Sequence, residues 1–291
     1  MDLSPSTAAF TDRYVRAQDG LRLYARDYEP PYARDGTAVL CLAGMTRNSK
    51  DFAHVAAALA VHRRVICLDY RGRGRSAYDP DWRHYEPTVY LNDILHLLTA
   101  LNIHKVIVIG TSLGGLLAMA LAVARPSLLV GAVVNDIGPD VAAEGLAHVL
   151  DYFANDRPLP DWPAAIAELR RTFKYLELGD VQNWERMARA TYKECPDGFL
   201  RFDWDVRLIH PFRQALHRKQ DLWPYFRALR AIPTLAIRGG KSQVFLPSCL
   251  VRMSEEKPDL MTVTVPDVGH TPNLGEPVAV AALDNFLAGL P

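Results

Sequence analysis

Residues 106–115 read Val106-Ile107-Val108-Ile109-Gly110-Thr111-Ser112-Leu113-Gly114-Gly115. Four successive Val and Ile residues predict a short strand buried on both faces. The apolar stretch over residues 113–124 predicts a helix that begins at once. Between them, Gly110-x-Ser112-x-Gly114 makes a turn so tight that side chains beside the serine would clash. In that strand–turn–helix setting the Leu113 N–H faces the space in front of Ser112 Oγ. The helix N-terminus adds a potential that favours developing negative charge. Ser112 is therefore a candidate nucleophile; a structural serine at a glycine-rich turn is the competing reading.

Outward from this turn the chain alternates between two periodicities. Residues 13–17 and 21–28 read as an antiparallel pair about Asp19-Gly20. Unbroken apolar runs at 39–42, 65–68, 106–109 and 130–134 read as buried strands. Helical stretches at 50–61, 88–101 and 113–124 separate them. Strands alternating with helices imply right-handed crossovers and a mostly parallel sheet. After Gly138-Pro139 the pattern changes: residues 141–153, 162–175, 181–195 and 222–229 read as helices, with no buried strand among them. Strands resume at 234–237 and 261–265, and a helix over 278–287 closes the chain. The expected organisation is one core domain, residues 1–139 and 231–291, interrupted by a helical insertion over 140–230.

Composition narrows the classes. Of 291 residues, 49% are hydrophobic and 23% charged, with 33 basic against 33 acidic residues. A formal charge of zero argues against a nucleic-acid footprint, which needs clustered excess Lys and Arg. No stretch approaches the roughly 18 uninterrupted apolar residues that span a bilayer. The first 13 residues lack the basic start and apolar run of a secretion signal, so a cytoplasmic location is expected. Cys41 and Cys67 fall in strand-like runs and read as core thiols; none of the four cysteines forms a C-x-x-C pair or a zinc spacing.

Two further segments carry candidate chemistry. Leu40-Cys41-Leu42-Ala43-Gly44-Met45-Thr46 is a buried strand ending in a glycine turn, and the Met45 N–H is a candidate second oxyanion donor beside Leu113. Val268-Gly269-His270-Thr271-Pro272-Asn273 places a histidine on a glycine-containing loop after the last strand. A neutral imidazole is the common side chain suited to take a serine proton near pH 7. His270 follows Ser112 late in the chain, whereas His54, His84 and the other histidines read as surface or packing residues.

Taken with Asp69-Tyr70-Arg71-Gly72-Arg73-Gly74-Arg75-Ser76 and Asn135-Asp136-Ile137-Gly138-Pro139, these segments resemble the α/β-hydrolase superfamily, specifically its capped, esterase-like members. The resemblance implies an eight-stranded, mostly parallel sheet flanked by helices, with residues 140–230 as a helical cap. It also implies that residues 69–76 form a structural loop. Two positions depart from the family pattern. Ala43-Gly44 stands where His-Gly is usual, and Gln243 stands where relatives place the acid of a catalytic triad. Glutamine supplies no negative charge to an imidazolium. Asp136, 24 residues after Ser112 at the end of the preceding strand, is a substitute acid, as in haloalkane dehalogenases. An impaired site with Gln243, or a different carboxylate, are the alternatives.

The expected activity is ester hydrolysis through an acyl-enzyme on Ser112, with His270 as base and Met45 and Leu113 as oxyanion donors. Such chemistry requires no metal and no organic cofactor. Aromatic residues of the insertion, among them Phe153, Trp162, Trp184 and Trp204, suggest a small-molecule substrate of apolar ester type, or simply packing between cap and core. A carbon–carbon hydrolase or lactonase of the same fold is the near alternative. A non-catalytic ligand-binding protein is the distant one.

Overall fold

In the computed structural model the residues described are 9–31, 36–142, 150, 153, 156–173, 181–216 and 221–291. Among them the strands are β1 (Thr11–Arg16), β2 (Arg22–Tyr28), β3 (Ala38–Leu42), β4 (Val65–Asp69), β5 (Val106–Thr111), β6 (Leu129–Asn135), β7 (Tyr192–Glu194), β8 (Leu200–Phe202), β9 (Thr234–Gly239) and β10 (Met261–Val265). Eight of them form one sheet in the order β1-β2-β4-β3-β5-β6-β9-β10. β2 runs antiparallel to both β1 and β4, and every other pairing is parallel. The eight-stranded, mostly parallel sheet implied by the sequence is present.

Period-two alternation divides the core into two layers. Val106 and Val108 of β5 face one layer, with Leu40, Leu42, Ile66 and Leu68. There they meet α2 (Pro87–Ala100) through Ile94 and Leu97, and α3 (Leu113–Ala124) through Leu117 and Leu121. Ile107 and Ile109 face the other layer, with Cys41 and Cys67. This side packs on α1 (Ala53–Leu59) through Val55 and Leu59, and on the closing helix (Pro277–Ala288) through Leu283 and Phe286. Cys41 and Cys67 are buried, directly paired in register and unbridged.

Between β6 and β9 lie α4 (Trp162–Thr172), α5 (Val181–Thr191), α6 (Ile209–Leu216) and α7 (Trp223–Arg227). Most of the helix expected over 141–153 falls outside the described residues. The helix expected over 181–195 stops at Thr191, because Tyr192–Glu194 pairs antiparallel with Leu200–Phe202. The directly opposed Tyr192 and Phe202 rings stack at 5.4 Å, an aromatic cross-strand pair that outweighs continuing the helix. α8 (Pro247–Glu256) was not anticipated from hydrophobic runs. It fully buries only Cys249 and Met253, one turn apart, with Leu250 partly buried beside them and Val251 exposed. α9 is the closing helix, Pro277–Ala288.

Candidate active site

The turn between β5 and α3 holds Ser112 at φ +52° and ψ −113°, a conformation rare outside glycine. Its neighbours have no room for side chains. A Cβ on Gly110 would lie 2.3 Å from the Gly114 carbonyl oxygen, and one on Gly114 would lie 2.0 Å from that of Leu42. The Ser112 N–H donates to the Asn135 carbonyl at 2.9 Å, which anchors the turn to the end of β6.

Asp136 follows directly, also left-handed at φ +55°. Its backbone N–H donates to the Ile237 carbonyl at 2.8 Å, so β9 fixes where the side chain leaves the sheet. The carboxylate is fully buried. Its Oδ1 accepts from the Gly239 N–H at 2.7 Å, and its Oδ2 lies 2.7 Å from His270 Nδ1. His270 Nε2 lies 3.0 Å from Ser112 Oγ. A carboxylate only accepts, which assigns the imidazole proton to Nδ1 and leaves Nε2 to accept from the serine hydroxyl. The three side chains thus form one chain of hydrogen bonds ending on a buried carboxyl group.

Several contacts hold the His270 loop. Gly240 N–H donates to the Val265 carbonyl at 2.7 Å and Lys241 N–H to the Val268 carbonyl at 2.8 Å. The buried Asn135 amide donates to the Pro272 carbonyl at 2.9 Å and to Thr111 Oγ1 at 3.1 Å. His54 Nε2 lies 3.0 Å from the Asn273 carbonyl, and burial lowers its pKa, favouring the neutral ring that donates there. The sequence reads His54 as a surface or packing residue and gives Asn135, quoted only within a family motif, no role of its own. The partner of each comes from a loop more than 100 residues away in sequence, so no local pattern signals either.

Gln243 is not brought to the imidazole. Ser242 Oγ accepts from the N–H groups of Val244 and Phe245 at 3.3 and 3.2 Å, and both of those side chains are buried. That turn leaves Gln243 exposed, with no hydrogen bond to His270 among the described residues. Instead, the Gly239 backbone N–H at the end of β9 meets the carboxylate of Asp136.

Met45 and Leu113 sit on the two turns that flank the serine. A Cβ on Gly44 would lie 3.9 Å from Ser112 Cβ, so the Gly44–Met45 turn passes beside the serine. Leu113 opens α3. For a metal, the one grouping of potential ligands among the described residues is Asp19, Asp79 and His84. It is built around Arg71, whose Nη1 lies 2.7 Å from Asp19 and 2.6 Å from Asp79. Hydrogen bonding to that guanidinium holds the Asp19 carboxyl below its usual range. Among the described residues no helix is long and apolar enough to cross a membrane.

Comparison with known proteins fits this geometry. The chain is 30% identical to a 3-hydroxybutyrate-oligomer hydrolase from Cupriavidus necator over 260 residues, 86% of this chain and 88% of that one. It is 27% identical to an sn-1-specific diacylglycerol lipase from Mus musculus, over 86% of this chain and 81% of that one. A crystal structure of an alpha/beta hydrolase from Novosphingobium aromaticivorans matches with a TM-score of 0.91 and 37% identity, covering 97% of this chain and 99% of that one. A profile of the alpha/beta hydrolase family matches residues 39–283, most of the sheet together with the serine, aspartate and histidine just described, and the chain belongs to that family.

Proposed function

We propose that the protein is a serine hydrolase that cleaves small carboxylic esters through an acyl-enzyme on Ser112. The observation that carries this reading is the hydrogen-bond chain from Ser112 Oγ to His270 at 3.0 Å and from His270 to Asp136 at 2.7 Å. His270 Nε2 takes the serine proton as Oγ attacks the ester carbonyl, and Asp136 stabilises the imidazolium that forms. The N–H groups of Met45 and Leu113 hold the tetrahedral oxyanion. Collapse expels the alcohol, which receives its proton from Nε2. Water then enters, loses a proton to the same nitrogen and attacks the acyl carbonyl, releasing the acid and Ser112.

Similarity to an oligomer hydrolase and to a diacylglycerol lipase supports hydrolytic chemistry of this kind. Residues 140–230 serve as the cap that shapes the acyl pocket. Its aromatic residues, with Phe202 and Trp204 stacked at 4.1 Å and Phe153 edge-on to Trp204 at 5.5 Å, favour apolar acyl groups. The test is turnover of p-nitrophenyl esters of graded acyl length, measured beside Ser112→Ala. Turnover that disappears in Ser112→Ala is the expected result. Equal rates in the two proteins would refute the acyl-enzyme.

A further inference from the structure

Arg71 and Arg73 both lie buried in the loop after β4, but their surroundings differ. Arg71 is matched by carboxylates from Asp19, Asp79 and Asp93. Among the described residues, Arg73 has no carboxylate partner. Its guanidinium donates to three neutral oxygens: the Met45 carbonyl from Nε, the Arg71 carbonyl from Nη1 at 2.8 Å, and the Tyr90 hydroxyl from Nη2 at 3.1 Å. The rings of Tyr70 and Tyr90 lie 5.1 and 4.8 Å from its central carbon. Burying an ion without a counter-ion is strongly unfavourable, and an apolar side chain of similar length would fill the same space without that penalty.

What the guanidinium grips is the turn beside Ser112. Three successive carbonyls of that turn are held: Ala43 by the Tyr70 hydroxyl at 3.2 Å, Gly44 by the Arg47 N–H at 3.1 Å, and Met45 by Arg73. In a planar trans peptide the N–H points opposite the carbonyl. Holding the Gly44 carbonyl therefore sets the Met45 N–H, and the anchors on either side stop the turn from rotating. We propose that Arg73 is a positioning residue for ester hydrolysis. It locks the oxyanion turn through the Met45 carbonyl and places an uncompensated positive charge behind it. This rests on the reading of Ser112 as nucleophile.

The experiment compares wild type, Ser112→Ala, Arg73→Met and Arg73→Lys. Its readouts are kcat and KM for p-nitrophenyl butyrate per site titrated with a fluorophosphonate, Ki for a trifluoromethyl ketone that adds to the serine, and the thermal midpoint. Removing a direct oxyanion donor typically lowers kcat by about 10²–10³-fold. Because Arg73 acts through the turn, Arg73→Met is expected to lower kcat roughly 10–100-fold with KM nearly unchanged, and to weaken the ketone by a similar factor. Arg73→Lys, which keeps the charge and one donor, recovers part of both. A merely structural arginine would lower the midpoint and the titratable fraction while leaving kcat per site and Ki at wild-type values; that result overturns the proposal. Should Arg73→Met not fold, Arg73→Lys decides by the same criterion. Ester turnover unchanged in Ser112→Ala would overturn the nucleophile reading, and the Arg73 role with it. Ser112-dependent turnover with unaltered Arg73 kinetics would overturn the Arg73 role alone.

Discussion

At the scale of single residues, the proposal of Asp136 as the acid rests on distance rather than on position in the chain. Asp136 leaves β6 and reaches His270 at 2.7 Å, while Gln243 beyond β9 is exposed. An amide at 136 would satisfy the hydrogen-bond geometry only with the imidazole in the wrong tautomer, and it would remove the charge that stabilises imidazolium. Asp136→Asn is therefore expected to lower kcat by about 10²–10⁴-fold with KM little changed. Gln243→Ala should stay within roughly twofold of wild type, as surface substitutions generally do. Steady-state kinetics normalised to active-site titre checks both. A loss in Gln243→Ala as large as that in Asp136→Asn would return the acid's role to the β9 loop.

At the scale of elements, the turn that carries Ser112 is fixed by close approach of backbones. Gly114 lets α3 start against the end of β3, and a Cβ there would sit 2.0 Å from the Leu42 carbonyl oxygen. Gly114→Ala is expected to lower stability by about 3 kcal/mol, the upper range for overpacking, read from urea denaturation at unchanged slope. This turn was legible in the sequence because Val106–Ile109 is apolar without a break and the glycines fall at fixed offsets from the serine. The same holds for β3, β4 and β6. The β7–β8 hairpin and α8 were not legible, because a three-residue strand and a helix that fully buries only Cys249 and Met253 leave too weak a period. Nor were Asn135 and His54 legible as supports of the His270 loop, since what they bind is set by the tertiary fold. The loop's dependence on His54 has a pH signature. Burial lowers the folded-state pKa of His54 below the usual 6.5. Between that ordinary value and the lower folded one, the unfolded chain binds a proton that the folded chain does not, so stability falls as pH falls through this window and is fully present above it. His54→Gln should flatten that part of the stability-versus-pH curve. An unchanged slope would mean His54 titrates alike in both states.

At the scale of the whole molecule, the segment between β6 and β9 is tied to the core at the Asp69–Ser76 loop and its neighbours. Gly74 N–H donates to the Asp203 carbonyl at 2.9 Å, Asp205 N–H donates to the Gly72 carbonyl at 2.8 Å, and Lys50 pairs with Asp203 at 2.8 Å. The loop that delivers Arg73 to the Gly44–Met45 turn is thus also the seat of residues 203–205, so changes in that segment and the geometry beside Ser112 share one support. Tyr85 is the joint between the two. Its buried hydroxyl accepts from the Asp79 N–H and donates to Asp205 Oδ2, each at 2.8 Å. Phenylalanine fits the space but leaves the Asp79 N–H without that acceptor and removes a donor from a buried carboxylate. Tyr85→Phe is therefore expected to lower global stability by about 1–3 kcal/mol, the usual range for an orphaned buried polar group. Because the loss falls on the joint, amide exchange at residues 203–205 should accelerate more than exchange in β5, whose hydrogen bonds to β3 and β6 are untouched. Hydrogen-exchange mass spectrometry on both proteins measures this. Equal protection at residues 203–205 in the variant would mean that Lys50 and the two backbone bonds hold the segment without Tyr85.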